Sequence, residues 1–451
     1  MPRALIFEEH ASVLPHWMAS GLRDATVVSL AAHLDLQFIA PERIARLRAC
    51  KTAAELRRLE SPHPLSPRRD ACYGIQDFLY AAAQLGIVRR LVWVAPPHVI
   101  VDLGSALRSL RQMEGVTQEQ IGSVQRVPGG WIEGKLLGLE LAVVEWKQLA
   151  SVPLEGPLAL HIDADYFVRV PQDRIWARPR VIVTALQECL DPAMEMTLSR
   201  SVGSGFVPLR HRFIADHLAT LWTGRQEEAG HWQHLLELET EPMPPAERAA
   251  ALRALRSVRP DCAATCHALA VETTDAHERE LLLAKAAALD PHYAADVLRH
   301  LGAVHFRRHD AELAGVVRLQ RELVAWEDKP ERQDAAWVAL GLLYAELGRT
   351  ADAVACDIRS RRHGGRGHPD LALQIGRLQM TAGHGDEALP WLERAASDAE
   401  TRVAAWMHLS VLASRRGALE EAWNWARAAS EAAPAWPEPA NWLQGLAAKP
   451  G

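Results

Sequence analysis

The stretch GPLALHIDADYF, residues 156–167, reads as a short apolar strand that ends in acid. In an extended chain alternate residues share a face, so Asp163 and Asp165 are expected to point the same way. Like charges held that close repel unless a positive charge lies between them. A metal ion, two helix N-caps or a pair of salt bridges would each relieve the repulsion.

Working outward, other β-rich runs precede and succeed this one: ALIF (4–7), ATVVSL (25–30), RLVWVA (90–95), LAVVEW (141–146) and EMTLS (195–199). Helix-like stretches such as GIQDFLYAAAQLG (74–86) separate them, while ESPHPLSPRRD (60–70) reads as a surface loop. Strand and helix in alternation predict an α/β domain with a mainly parallel sheet. In such sheets ligands bind outside the carboxyl ends of the strands. The residues just past each strand are therefore informative. ALIF runs on to His10, ATVVSL to His33 and Asp35, and LALHI to Asp163 and Asp165. Singly, the two histidines fit satisfied polar residues at strand ends, and Asp35 fits a helix cap. Three such endings on one edge favour a metal site. Mixed imidazole and carboxylate donors suit manganese, iron or zinc better than calcium or magnesium.

The C-terminal half repeats itself. LGLLYAELGRTADAVA (340–355), IGRLQMTAGHGDEALP (375–390) and LSVLASRRGALEEAWN (409–424) align Gly348, Gly383 and Gly417 in one column, 35 and 34 residues apart. Ala353, Ala388 and Ala422 form a second column. This period, with glycine at the turn and a small residue where paired helices cross, is that of the tetratricopeptide (TPR) repeat, an all-α solenoid whose concave face commonly holds a peptide. A fainter copy spans 301–316, and LLLAKAAALDP (281–291) reads as the second helix of an earlier unit. Trp337, Trp391, Trp406, Trp423, Trp425 and Trp442 fall at helix-packing positions and read as repeat core. The expected division is residues 1–225 for the metal-binding α/β domain and 226–451 for the repeats.

The bulk numbers agree. The 451 residues exceed one ordinary core, and 49% hydrophobic with 24% charged residues is the composition of a soluble globular chain. No apolar run is long enough for a membrane span, and MPRALIFEEH lacks a secretory core, so a cytoplasmic location is expected. A net charge of −6 gives no overall attraction to nucleic acid, despite local basic patches such as 299–308. The six cysteines form no C-x-x-C pair.

FEEHASVLPHW (7–17), AHLDL (32–36), QLGIVRRLVWVAP (84–96) and HIDADYF (161–167) together resemble the arginase-like ureohydrolases, and within them a family that includes the peptide arginases of ribosomal peptide biosynthesis. The likeness covers roughly residues 4–220. It implies a three-layer α/β domain and names His10, His33, Asp35, Asp163 and Asp165 as ligands of one or two Mn2+ ions, with Fe2+ or Zn2+ behind. It also implies hydrolysis of an arginine side chain in a peptide to ornithine and urea. Two positions depart from the family pattern. Ala31 stands where D-A-H-x-D places a bridging Asp, and His161 stands where the family tends to have Asp. A site missing the bridge fits a mononuclear centre, one completed by Glu8, Glu9 or His161, or a degenerate domain in a peptide-binding TPR scaffold. The catalytic residues are not identified: His16 and His161 are candidate proton donors, and Glu133 and Glu195 candidate partners of the substrate guanidinium. GGWIEGKL (129–136) lacks the Ser/Thr of a nucleotide-binding loop. RSVGSGFVPL (200–209) is a turn that suits either an anion or a bend in the chain.

Overall fold

A computed structural model of the chain describes residues 2–61, 63, 70–99, 103–169, 172–296, 299, 321, 330–362, 367–399 and 401–447. The faint repeat at 301–316 and most of the loop at 60–70 lie outside the described residues, as does the basic patch beyond Arg299.

Among the described residues the first half forms one eight-stranded sheet and a two-stranded ribbon. The strands are β1 (Arg3–Phe7), β2 (Ala25–Leu30), β3 (Val88–Val94), β4 (Gln125–Arg126), β5 (Ile132–Leu136), β6 (Leu139–Val144), β7 (Leu158–Asp163), β8 (Val168–Arg169), β9 (Arg174–Ile175) and β10 (Glu195–Ser199). The sheet order is β1-β10-β7-β2-β3-β6-β5-β4. Its first six strands are parallel, and β5 and β4 close the far edge as antiparallel partners. Residues 129–136 thus belong to the approach and body of a hairpin strand, and no helix N-terminus comes after them to cradle a phosphate.

Parallel strands buried on both faces read as continuous apolar runs, which is why ATVVSL is buried at every position. Val27 packs with Trp17, Phe78 and Leu91 on one side of the sheet. Val28 packs with Leu160, Leu186 and Leu218 on the other. The result is three layers, helix on sheet on helix. The register sets the functional edge: Phe7 pairs with Ser199, Ser199 with Asp163, and Leu30 with Ile162, so four neighbouring strands end at the same level.

The second half is helical. Among the described residues it holds helices Gln226–Thr240, Pro245–Val258, Ala263–Glu272 and Ala276–Leu289, three hairpins, Pro330–Glu346 with Thr350–Arg362, Pro369–Thr381 with Gly385–Ala395, and Arg402–Arg415 with Leu419–Ala432, and a last helix, Pro437–Ala447. The repeat columns have structural causes. Gly348, Gly383 and Gly417 sit at the turns with φ of 70°, 84° and 79°, where a side chain costs free energy. Ala353, Ala388 and Ala422 are fully buried where the helices cross. The architecture is therefore a mainly parallel α/β unit followed by a TPR-type helical repeat. One tryptophan departs from its expected role: Trp423 is 40% exposed, its ring covered by the Arg427 guanidinium at 4.9 Å, whereas the other five pack against the helical core.

Among the described residues the halves meet at several places, of which two bear on the sheet edge and the last hairpins. Arg212, 2% exposed, donates both guanidinium nitrogens to Glu8 at the end of β1 and reaches Asp290 at 3.2 Å. The last hairpins return to the α/β unit, where Gly115 N donates to Ala432 O at 2.9 Å and Arg402 pairs with Glu114 at 3.3 Å.

Candidate metal centre

The side chains just beyond β1, β2 and β7 converge at the carboxyl edge. His10 Nδ1 lies 2.6 Å from Asp163 Oδ2, and His10 Nε2 lies 3.8 Å from Asp35 Oδ2. His33 Nδ1 lies 2.9 Å from Asp165 Oδ2. The five residues singled out by sequence thus form one cluster.

Asp163 and Asp165 are neighbours for a different reason than strand alternation. Strand β7 stops at Asp163, and Ala164–Phe167 is a 3-10 turn. Asp163 caps it, its Oδ1 accepting from Asp165 N at 2.9 Å. The capping role is therefore real for one oxygen of one carboxylate. The other oxygen accepts from His10 and from Ser201 Oγ at 2.6 Å. Asp165 Oδ1 accepts from Ala32 N at 3.0 Å.

Asp35 is the odd member. Its backbone is left-handed, φ 48°, and its carboxylate accepts no hydrogen bond among the described residues. Burial pushes its pKa up to about 6, with Asp165 and Asp163 adding to the rise against the pull of His10 and His33. Burial also raises Asp165, helped by Asp163. It works the same way on Asp163, but the hydrogen bond and charge of His10 outweigh it and hold that group down at about 2. Burial opposes charge on His10, yet Asp35 and Asp163 hold its pKa well above the ordinary value. No Lys or Arg among the described residues pairs with any of the three carboxylates.

Two imidazoles and three carboxylates, donor types that suit a transition metal, share one small space that no Lys or Arg among the described residues enters. The contacts of His10 fit less well. Its Nδ1 faces Asp163 and its Nε2 faces the Ile75 carbonyl at 2.8 Å, both acceptors, so it carries a proton on each nitrogen here and offers no lone pair. Among the described residues no three His, Cys, Asp or Glu side chains form a ready-made cage. Ala31 contributes only its carbonyl, which accepts from Trp93 Nε1 at 2.9 Å.

Several groups had no motif to announce them. Ser201, φ 47°, opens a loop that lies over the cluster, with the Phe206 ring 4.5 Å from that of His33. Glu9 accepts from Ser204 N at 2.8 Å, its second oxygen is buried without a partner, and burial pushes its pKa up to about 7. The candidate acids and bases are mostly misplaced. His16 and Glu195 bind each other at 2.6 Å at the amino end of β10, opposite the cluster. Glu133 lies on β5, engaged by Trp131 and Arg90. His161 is buried below Asp163, pushed down to about 4 by burial, and packs edge-on to Trp17 and Phe78.

No family model matches the chain, and no curated protein matches it. Among solved structures it is similar to one reported as "Functional Characterization of Pseudomonas Aeruginosa pilF", with 17% identity over 52% of this chain and 97% of that one and a TM-score of 0.30. A likeness that distant carries nothing about the site.

Proposed function

We propose that the chain is a metal-dependent hydrolase, with manganese as the first candidate, that converts arginine side chains of a ribosomally made peptide to ornithine with release of urea. The observation that carries this reading is the meeting of two buried carboxylates, a third that is 10% exposed and two imidazoles, with no Lys or Arg among the described residues to pair with the carboxylates. The sequence resemblance chooses the reaction class, and the helical repeat favours a peptide over free arginine.

Asp35, Asp163 and Asp165 would hold the cation through carboxylate oxygens and His33 through a ring nitrogen. His10 would join once one of its nitrogens is freed. A divalent ion in such a site supplies a Lewis acid that brings the pKa of water toward neutrality. Ser201 Oγ orients Asp163, and the loop from Ser201 to Phe206 lies against the cluster. A second reading, a degenerate domain in a peptide-binding scaffold, is favoured by Ala31 and by the doubly engaged His10.

Metal analysis after reconstitution separates the two. One or two equivalents of manganese, with the mass loss of arginine-to-ornithine conversion in a co-expressed peptide, support the hydrolase; no retained metal and no mass change leave the scaffold. Asp163→Ala is expected to abolish both metal retention and urea release with little change in circular dichroism, and a variant that keeps releasing urea removes Asp163 from the site.

A further inference from the structure

Next to the cluster a cavity of about 140 Å3 opens between the α/β unit and the repeats. Gln37, Arg43, Ile75 and Asp77 line one wall; His368 and Asp398, flanking the hairpin Pro369–Thr381 and Gly385–Ala395, line the other. Cavities of about 150 Å3 take up a molecule the size of benzene, so this one suits a single side chain. Ile75 joins it to the cluster, because the same residue that lines the cavity gives its carbonyl to His10 at 2.8 Å.

The charges in the lining are unbalanced. Arg43 is engaged with Asp398 at 3.4 Å. Asp77 accepts from Gly74 N at 2.7 Å through one oxygen, and its second oxygen takes no hydrogen bond among the described residues. Burial pushes Asp77 up to about 7, with Asp35 and Asp398 adding to the rise against Gly74 and Arg43. His368 Nδ1 is buried without a partner as well. A carboxylate with a spare oxygen in a side-chain-sized space accepts a planar donor group well, and a guanidinium offers two parallel N–H bonds to it.

We propose that this cavity receives a guanidinium-bearing side chain of a peptide, with Asp77 as its carboxylate partner and the repeats closing the space through Asp398. The choice of guanidinium rests on the reaction proposed above, whereas the site itself rests on the cavity and the unengaged oxygen. It gives the repeats a direct part in substrate selection.

The test is calorimetric titration of the full-length protein, held metal-free with chelator, using N-acetyl-arginine methylamide and its neutral citrulline counterpart. The arginine probe is expected to bind at least tenfold more tightly. Asp77→Asn should erase that preference, and Asp398→Asn should reduce it about threefold, in line with loss of charge-assisted bonds. Asparagine keeps an oxygen for Gly74 N, so the turn is retained, and an unchanged melting temperature verifies this. Equal binding of the two probes, no binding of either, or a preference undiminished in Asp77→Asn overturns the proposal. So does a preference lost in Asp163→Ala but kept in Asp77→Asn, which would put the guanidinium on the cluster. If the wild-type protein keeps the preference yet releases no urea with manganese, the reaction is wrong and the cavity assignment stands.

Discussion

Buried acid occurs in both halves of the molecule, and the halves treat it differently. In the repeats Asp357 is fully buried, and it is met by two guanidinium groups: Arg394 donates to both of its oxygens and Arg361 reaches it at 2.8 Å. At the sheet edge Asp163 and Asp165 are 1% and 2% exposed, with Asp35 beside them, and among the described residues histidines are the only ionisable bases that pair with them. A buried acid kept for stability comes with its counter-charge in the sequence, because an uncompensated charge in the interior costs several kcal/mol. At the edge Asp163 is met by the charge of His10, but burial raises Asp35 and Asp165, and no Lys or Arg among the described residues meets either of them. Local violations of this kind are expected at functional or strained sites.

Removing a counter-charge from the repeats breaks the comparison from the well-compensated side. Arg394→Ala leaves Asp357 with Arg361 alone and is expected to cost about 3 kcal/mol, the scale of an orphaned buried ion. Urea denaturation measures it, and manganese should not restore the loss, since nothing at Asp357 suits a metal. Recovery on adding manganese would mean that the two halves are not separate systems.

From the other side, Asp35→Asn removes a charge that the chain does not compensate. Asparagine tolerates the left-handed backbone at this position. The sign comes from the raised pKa. The folded carboxyl, at about 6, keeps its proton to higher pH than the unfolded one, whose ordinary value is 3.8. Asp35 therefore costs the metal-free protein nothing below the unfolded value, increasingly more as pH rises through the folded one, and its full amount above it. The variant should lack this fall between roughly pH 4 and 6 and be more stable than the wild type by about 1–2 kcal/mol at neutral pH with chelator. Saturating manganese should reverse the order. A variant less stable under both conditions would show that the carboxylate is satisfied by the chain itself.

Much of this was legible and the rest was not, for physical reasons. Strand ends carry local signals, so His10, His33, Asp35, Asp163 and Asp165 could be read from the residues just past each apolar run. The insertion of β10 between β1 and β7 is a non-local pairing with no signature in EMTLS, and it is what brings Ser201 to Asp163. Carbonyls leave no trace in a sequence, so the role of Ile75 was invisible. Asp77 sits before an ordinary helix, and its importance comes from a wall that the distant repeats supply through His368 and Asp398. A third repeat column becomes meaningful only with the packing known: Gly341, Gly376 and Ser410 recur at the repeat spacing. A β-carbon on Gly376 would meet Leu392 Cδ2 at 2.7 Å, so a side chain there would have to displace Leu392 of the paired helix.

The smallest expected effect tests the same contrast in the backbone. Among the described residues the left-handed positions in the repeats, Gly348, Gly367, Gly383 and Gly417, are all glycines, whereas those at the sheet edge include Asp35 and Ser201 beside Gly205. In the first place evolution of a stable turn can choose the residue without Cβ. In the second the side chain is needed, and the conformational cost is carried with it. Gly383→Ala isolates that cost, because a β-carbon there meets nothing within 4 Å and φ is 84°. A loss of about 1 kcal/mol is expected, read as a drop in melting temperature of a few degrees with peptide binding and metal uptake unchanged. Should the substitution be neutral, left-handed backbone would be cheap in this fold, and the same conformation at Asp35 would no longer single that residue out as held for its carboxylate.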